Sequence, residues 1–437
     1  MFHPGRRTIR HLALLLAALL PGLAEAAPRV SFDDLLANLK SPNAKTRQAA
    51  AAELGKSRRR EAVSGLSALA RDPDAKVRFE VVRALRELRE PSAIPALVTL
   101  TEDEDATIRE EAISALVDLY IDIDESSGVK RFLEIFSDEY DQTKVAPNTR
   151  VDAAALRAIT LALRDDDKGI REQSALALGM LGARASLKEL GDALSDPEPG
   201  VRGAAALAIA KLGGKEHGRA LVALLADGST SVRNRVLHAI GTLQVKEAGP
   251  ALREMFEANR RKELGQRTLQ ALSRVADPAQ ADLFRELVQD ADPDRKRLAI
   301  EGLARVSDER LLPAFKKDFQ REKSDDLRVA YSFAITLLGD RAFLDSIVLN
   351  LPSKTLGRRC RDYILELGRD LLGELYPYLN DPDADIRAEL CDILAAFGDP
   401  ESIARLTPLV NDPSAHVADR ANRAIEQLRR ATSEASR

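Results

Sequence analysis

A phrase near the middle of the chain, Asp196-Pro197-Glu198-Pro199-Gly200-Val201-Arg202, followed by an alanine-rich run over 203–212, recurs along almost the whole sequence. With Arg202 as the anchor, equivalent positions fall at Arg47, Arg78, Arg109, Arg171, Arg202, Arg233, Gly265, Lys296, Arg328, Gly357, Arg387 and Ala418. Most steps are 31 residues, and 109 to 171 is 62, which reads as two steps. Seven residues after the anchors stand Leu54, Leu85, Leu116, Leu178, Ile209, Ile240, Leu272, Leu303, Ile335, Ile364, Leu394 and Ile425, every one Leu or Ile. A period of this length marks a chain built from copies of one supersecondary piece that cannot bury its apolar face alone.

The spacing describes that piece. Seven residues are two helical turns, so anchor and Leu/Ile project from one side of a helix. Just before the Leu/Ile stands an alanine in eight of the twelve copies (Ala84, Ala115, Ala177, Ala208, Ala239, Ala271, Ala334, Ala424), which lets a neighbouring helix approach closely. Six residues before the anchor lies Asp72, Asp103, Asp165, Asp196, Asp227, Asp290, Asp381 or Asp412, which reads as a helix-capping signal. The first helix stops at turns such as Gly213-Gly214 and Gly398, and a second begins at Pro91, Asp277-Pro278 or Asp399-Pro400. The second helices carry Leu97/Leu100, Leu190/Leu194, Leu221/Leu225 and Leu406/Leu409. Each copy is therefore a two-helix hairpin that must stack on its neighbours.

The pattern Asp-Pro-x-x-x-Val-Arg…Ala-Leu…Leu-Gly resembles bacterial HEAT repeats, of the short type also seen in phycobilisome-lyase-like proteins. The resemblance covers roughly residues 31–430. It implies an all-α fold, a right-handed α-solenoid of about 12–13 stacked two-helix repeats of ~31 residues. It also implies that Asp72, Arg78, Asp103, Arg109, Asp165, Arg171, Asp196, Arg202, Asp227, Arg233, Asp381 and Arg387 link neighbouring inter-helix turns in a hydrogen-bonded ladder, a structural role. Gly265, Gly357 and Ala418 depart from the pattern and should interrupt the ladder. In such proteins the second helices line the concave face and commonly carry a protein partner.

Residues 1–26 read as a secretory signal: Arg6, Arg7 and Arg10, an apolar run over 12–20 too short to span a bilayer, and Ala24-Glu25-Ala26 as cleavage site. Export to the periplasm or medium is expected, with the solenoid over 27–430 and a flexible tail at 431–437. Removing residues 1–26 takes away three arginines and one glutamate, so the net charge moves from −4 to −6. Mild acidity with interspersed charge excludes nucleic acid and anionic membrane as main partners. The basic runs 58–60 and 260–262 read as solvated helix ends, and no membrane-spanning segment is expected after signal removal.

Catalytic and metal patterns are missing from the sequence. His217, His238 and His416 stand apart, the acidic groups at 103–105, 122–125 and 165–167 lack the spacing of a calcium loop, and there is no Trp for a sugar-stacking cleft. No cofactor is expected. Cys360 and Cys391 lie three and four residues past their anchors, so they point roughly 100° apart on successive helices. They read as two reduced, buried thiols. Second-helix positions eight residues before the next Asp hold Pro95, Lys188, Arg219, Asp282 and Ala404, which is no repeated ligand code.

The expected function is a non-enzymatic, exported scaffold presenting an extended curved surface to another protein. The alternatives are a lyase-like or enzyme-accessory HEAT protein and a purely structural spacer. The rhythm breaks over an irregular insertion at 121–148, where the 62-residue interval holds one helix fewer than two steps require. Loops on rigid scaffolds often hold function, so Asp138, Glu139, Tyr140 and Asp141 are candidate partner contacts.

Overall fold

The computed structural model describes residues 30–121, 150–306 and 309–435. All described elements are helical, and none of the helices is long and apolar enough to cross a membrane. The chain divides into two compact bodies, with the boundary after Leu100. The candidate signal at 1–26 lies outside the described residues.

In the first body, the helix Phe32–Asn38 is closed by a reciprocal Ser31/Asp34 capping box. It precedes two hairpins whose first helices are Ala44–Lys56 and Ala75–Leu88. These two pack so closely that a Cβ on Gly55 would sit 2.7 Å from the Cα of Ala84. The second body holds first helices Ala106–Asp118, Lys168–Met180, Pro199–Leu212, Thr230–Leu243, Glu263–Val275, Pro293–Arg305, Asp325–Leu337, Gly357–Leu367, Ala384–Phe397 and Ala415–Ala435. Second helices are shorter and most are entered through a 3-10 turn, as at Arg184–Ser186 before Leu187–Ala193. The last first helix runs on through 431–435, residues that composition alone assigns to a tail.

The apolar seam lies where the period puts it. All twelve Leu/Ile positions are 5% exposed or less, and the eight alanines before them 3% or less. The second-helix leucines are buried as well, Leu97, Leu190, Leu221 and Leu406 completely. Burying an aliphatic side chain this fully stabilises by about 1.5–3 kcal/mol, and one such contact recurs in every hairpin. Left-handed residues end several first helices: Gly213 (φ 75°) and Gly398 (φ 66°), but also Arg89, Gln244 and Ala276.

Two expectations need correction. The recurrent Asp does not cap the following helix. The cap stands two residues later, where Asp74, Asp105, Asp167, Asp292 and Asp383 accept N–H groups of the first turn. The recurrent Asp instead accepts the N–H of that cap residue, as in Asp74 N to Asp72 Oδ1 at 3.0 Å. It stabilises the turn, because its side chain sits too early to reach the helix's free N–H groups.

The 62-residue interval is not two steps. Arg109 reaches Asp165, 56 residues on, in the geometry that Arg47 and Asp72 make at a separation of 25. Gln173 Nε2 donates to Ser114 Oγ at 2.7 Å and to the Glu110 carbonyl, so helix Lys168–Met180 packs directly on Ala106–Asp118. One hairpin, with first helix Ala106–Asp118 and second helix Ala153–Leu161, therefore stands between Arg109 and Asp165. The Asp152 N–H donates to the Tyr120 hydroxyl at 3.0 Å and ties the two ends of the interval together. The insertion matches one repeat in length, which makes it look like a degenerate copy.

Candidate functional site

The Asp/Arg ladder is built as the family pattern implies. Arg202 Nε and Nη2 donate to the two oxygens of Asp227 at 2.7 and 3.0 Å, while Nη1 donates to the Asp196 and Pro197 carbonyls at 2.8 and 2.9 Å. One guanidinium thus bridges the turn before its hairpin and the turn after it. Arg47–Asp72, Arg109–Asp165, Arg171–Asp196 and Arg387–Asp412 repeat this geometry. Arg78 Nη1 donates to the Asp72 carbonyl, and Asp103 supplies its carbonyl to Arg109. The Arg202 guanidinium holds the Asp227 carboxyl below the usual carboxylate range, against the opposing effect of burial.

The ladder breaks at Gly265 and Gly357, as expected, and also where an arginine lacks its carboxylate. Arg233 keeps its bond to the Asp227 carbonyl, but 25 residues on the chain has Ala258. Asp290, deprived of an anchor by Gly265, is taken instead by Arg295 from its own turn. Lys296 reaches Glu322 at 3.2 Å in place of the Arg–Asp pair. Asp381 accepts the Asp383 N–H and offers its carbonyl to Arg387.

Asp138, Glu139, Tyr140 and Asp141 lie outside the described residues, as do Asp122, Asp124 and Glu125. His217 is half-buried, His238 lies 3.4 Å from Thr242, and His416 is exposed. Among the described residues no three His, Cys, Asp or Glu side chains converge as a metal site. In the basic runs, Arg59 stacks 3.6 Å over the Phe32 ring and Arg260 pairs with Glu257 and Glu286. Cys360 and Cys391 are free and buried, and burial pushes each thiol up to about 12.

What sequence reading missed lies on the first helices. Polar side chains there join hairpins two apart by reaching over the helix between them. Arg235 Nη1 lies 3.5 Å from Glu172 Oε1 and donates to the Gly200 carbonyl at 3.3 Å, passing over Pro199–Leu212. The middle helix has glycine at both crossing points: a Cβ on Gly200 would lie 2.2 Å from Glu172, and one on Gly203 2.6 Å from Arg235. A second crossing spans Pro293–Arg305 and Gly357–Leu367. Buried Glu301 accepts from Arg297, Arg305 and the Tyr363 hydroxyl (2.7, 3.2 and 2.6 Å), and Arg305 forks onto Glu366 at 2.7 and 2.9 Å. Phe333 of the middle helix stacks on Tyr363, centroids 4.2 Å apart, and the Arg305 guanidinium lies over the Phe333 ring, 5.2 Å from its centroid. Burial pushes the Glu301 carboxyl up, but Arg305 and Arg297 outweigh it and keep it ionised. The sequence signal was weak: opposite charges one to nine residues past anchors two repeats apart, one pattern among many on helices rich in charge.

At the C-terminal end the first helices leave a groove of about 450 Å³. Its floor is Asp385 and Glu389 of Ala384–Phe397, and its walls include Arg358 and Arg361 on one side and His416 and Arg420 on the other. Glu389 pairs with both Arg361 and Arg420, and Arg420 also with Asp392.

Comparison with known proteins gives the repeat its family. The family model described as HEAT repeats matches residues 32–117, 154–241, 187–273, 218–304 and 371–436, well over half of the chain. No curated protein matches. Among solved structures, an engineered protein is 18% identical over 91% of this chain and 98% of its own, with TM-score 0.35. YibA of Escherichia coli is 16% identical over 69% of this chain and 99% of its own, with TM-score 0.41. The CpcE–CpcF complex of phycocyanin lyase from Nostoc sp. PCC7120 is 22% identical over 65% of this chain and 98% of its own, with TM-score 0.28. With its buried seam, its Asp/Arg ladder and the family match along its length, this chain belongs to the HEAT-repeat proteins, an all-α solenoid family.

Proposed function

We propose that this protein is an exported, non-enzymatic scaffold whose helices present a surface to another protein in the periplasm or outside the cell. One observation carries the reading. The second-helix position held by Pro95, Lys188, Arg219, Asp282 and Ala404 is exposed in every copy, while the seam and ladder beneath it repeat. A constant frame displaying unlike side chains at one outward position suits an irregular protein surface, not a repeated small ligand. The two thiols, buried and raised to about 12, are poor nucleophiles, which agrees with a role other than catalysis.

The test is chemical cross-linking capture from periplasmic and secreted fractions. The bait is the chain beginning at Ala27, with Lys188→Glu/Arg219→Glu as the comparison. A saturable partner lost in the double variant, whose melting midpoint is unchanged, supports the scaffold. Equal capture by both proteins overturns the assignment of this face. N-terminal sequencing of the protein recovered from the envelope should begin at Ala27, and an intact Met1 would overturn export.

A further inference from the structure

We propose that three consecutive second helices form a docking site for an extended acidic segment of the partner. Its carboxylates meet Arg157, Lys188 and Arg219 in turn, and an apolar side chain seats on Leu161. The proposal rests on the scaffold reading for the partner being a protein, and adds the chemistry of the segment that partner offers.

The repeat aligns the cations. Eight residues before the recurrent Asp165, Asp196 and Asp227 stand Arg157, Lys188 and Arg219, so one register position is basic three times running. Four residues earlier, about one helical turn away, Arg184 and Lys215 make a second row, and Arg164 closes one end. All six are exposed, and among the described residues none of them makes an ion pair or a side-chain hydrogen bond. Further along the chain the same register position is Asp282, which accepts from Arg253 of the preceding hairpin at 2.8 and 2.9 Å. Here the place of Arg253 is held by Thr160 and Gly191, which bring no opposite charge to Lys188 and Arg219. The row therefore has like charges for neighbours, and an entering carboxylate relieves their repulsion.

The three helices make one continuous surface. Thr160 Oγ1 lies 2.7 Å from Ser186 Oγ, and the His217 ring packs so closely on Gly191 that a Cβ there would lie 2.3 Å from its Cε1.

Spacing and composition select the occupant. Helices packed side by side stand ~8–10 Å apart, and an extended chain advances ~3.3 Å per residue. Every third side chain of a segment crossing the helices thus meets the next cation. Leu161, 65% exposed, is the most exposed large apolar side chain among the described residues. It stands four residues after Arg157 and three before Arg164, on the face they share. A lone exposed leucine needs no explanation; flanked by two unpaired arginines, it supplies an apolar anchor inside a charged rim. Glu189, Asp192 and Glu216 stand on the same helices. A peptide can thread its acidic residues past these carboxylates, whereas a sheet of anionic headgroups or a phosphate backbone would be repelled by them, which favours a protein segment.

The experiment is fluorescence anisotropy, with a labelled peptide bearing glutamate at every third position around one leucine, titrated by the full chain. Salt at about 0.15 M confines charge effects to a Debye length of about 8 Å. Lys188→Glu/Arg219→Glu should weaken saturable binding about tenfold or more, and Leu161→Ser about threefold. Lys317→Glu/Arg321→Glu, the same charge change on exposed cations three hairpins on, should leave it unchanged. The substituted side chains are exposed, so the buried seam stays in place. The site is overturned by a lack of saturable binding, by equal weakening in both double variants, or by unchanged affinity in Leu161→Ser. Equal binding of a peptide with serine for glutamate overturns it too. So does tighter binding of phosphatidylglycerol vesicles, or of a single-stranded oligonucleotide, through the same residues. A partner captured by the wild type and lost in Lys188→Glu/Arg219→Glu, with the peptide failing to bind, overturns the acidic segment and leaves the scaffold standing. Peptide binding that needs these residues, with no partner captured, upholds the site and overturns the scaffold.

Discussion

Replacing Arg202 with Ala removes one rung of the ladder in its most regular stretch. The change deletes two charge-assisted bonds to Asp227 and two bonds to the Asp196 and Pro197 carbonyls. The Asp227 side chain, 5% exposed, is then left with the Ser229 N–H, at 2.8 Å, to donate to it. Removing one partner from a fully buried ion pair costs about 3–5 kcal/mol. Here Arg202 retains 16% exposure, and water entering the vacated space recovers part of that loss. The expected cost is about 2–4 kcal/mol. Asp227→Ala should cost less, about 1–2 kcal/mol, because Arg202 keeps its carbonyl acceptors.

The pH dependence has a definite sign. Asp227 is held below its unfolded value mainly by the Arg202 hydrogen bond. Its stabilisation is therefore full above about pH 4, the unfolded value, and is lost as pH falls through the lower folded value. The penalty of Arg202→Ala should shrink in acid for the same reason. Hairpins couple mainly to their neighbours, so the assay should be local. Hydrogen–deuterium exchange mass spectrometry over Pro199–Leu212 and Thr230–Leu243, at neutral and acidic pH, reads it directly. A penalty under about 0.5 kcal/mol, typical of an exposed pair, or one that does not change with pH, refutes the account of the ladder.

Four further outcomes follow from the geometry. Ile209→Ala, at 0% exposure among fully buried Ala205, Ala206 and Ala208, should cost about 3–5 kcal/mol in urea denaturation, since alanines cannot move into the cavity. Gly357→Ala should lower stability by about 1–3 kcal/mol by thermal melting despite the better helix propensity of Ala, because the obstructing atom is the backbone oxygen of Leu351. Non-reducing mass spectrometry should find Cys360 and Cys391 as thiols that react with a thiol reagent only on denaturation, and a native mass lower by two protons would show a disulfide. Replacing 138–147 with a Gly/Ser linker should leave the melting midpoint nearly unchanged, since Arg109–Asp165 and Gln173–Ser114 join the flanking helices without it; loss of partner capture in that variant would place a contact on the insertion.

By itself the sequence determined everything that repeats. The Leu/Ile seam, the alanines, the hairpin period and the Arg side of the ladder each depend on a residue's place in its own hairpin, and one copy shows what the others do. The Asp was legible as a recurrent residue, but its job was not. Capping and bracing of a turn call for the same residue type two positions apart, and only backbone geometry separates them. The irregular insertion was legible as a break in the rhythm, but its length equals a repeat, so the count of steps across it was settled only by the pairing of Arg109 with Asp165. Tertiary structure alone decided the crossings of Arg235 to Glu172 and of Arg305 and Tyr363 to Glu366 and Glu301, and the open groove over Ala384–Phe397. Those contacts join residues about 60 positions apart across an intervening helix. Whether such side chains meet depends on how far apart two non-adjacent helices stand, a distance set by packing of the seam beneath them and written at no single position in the chain.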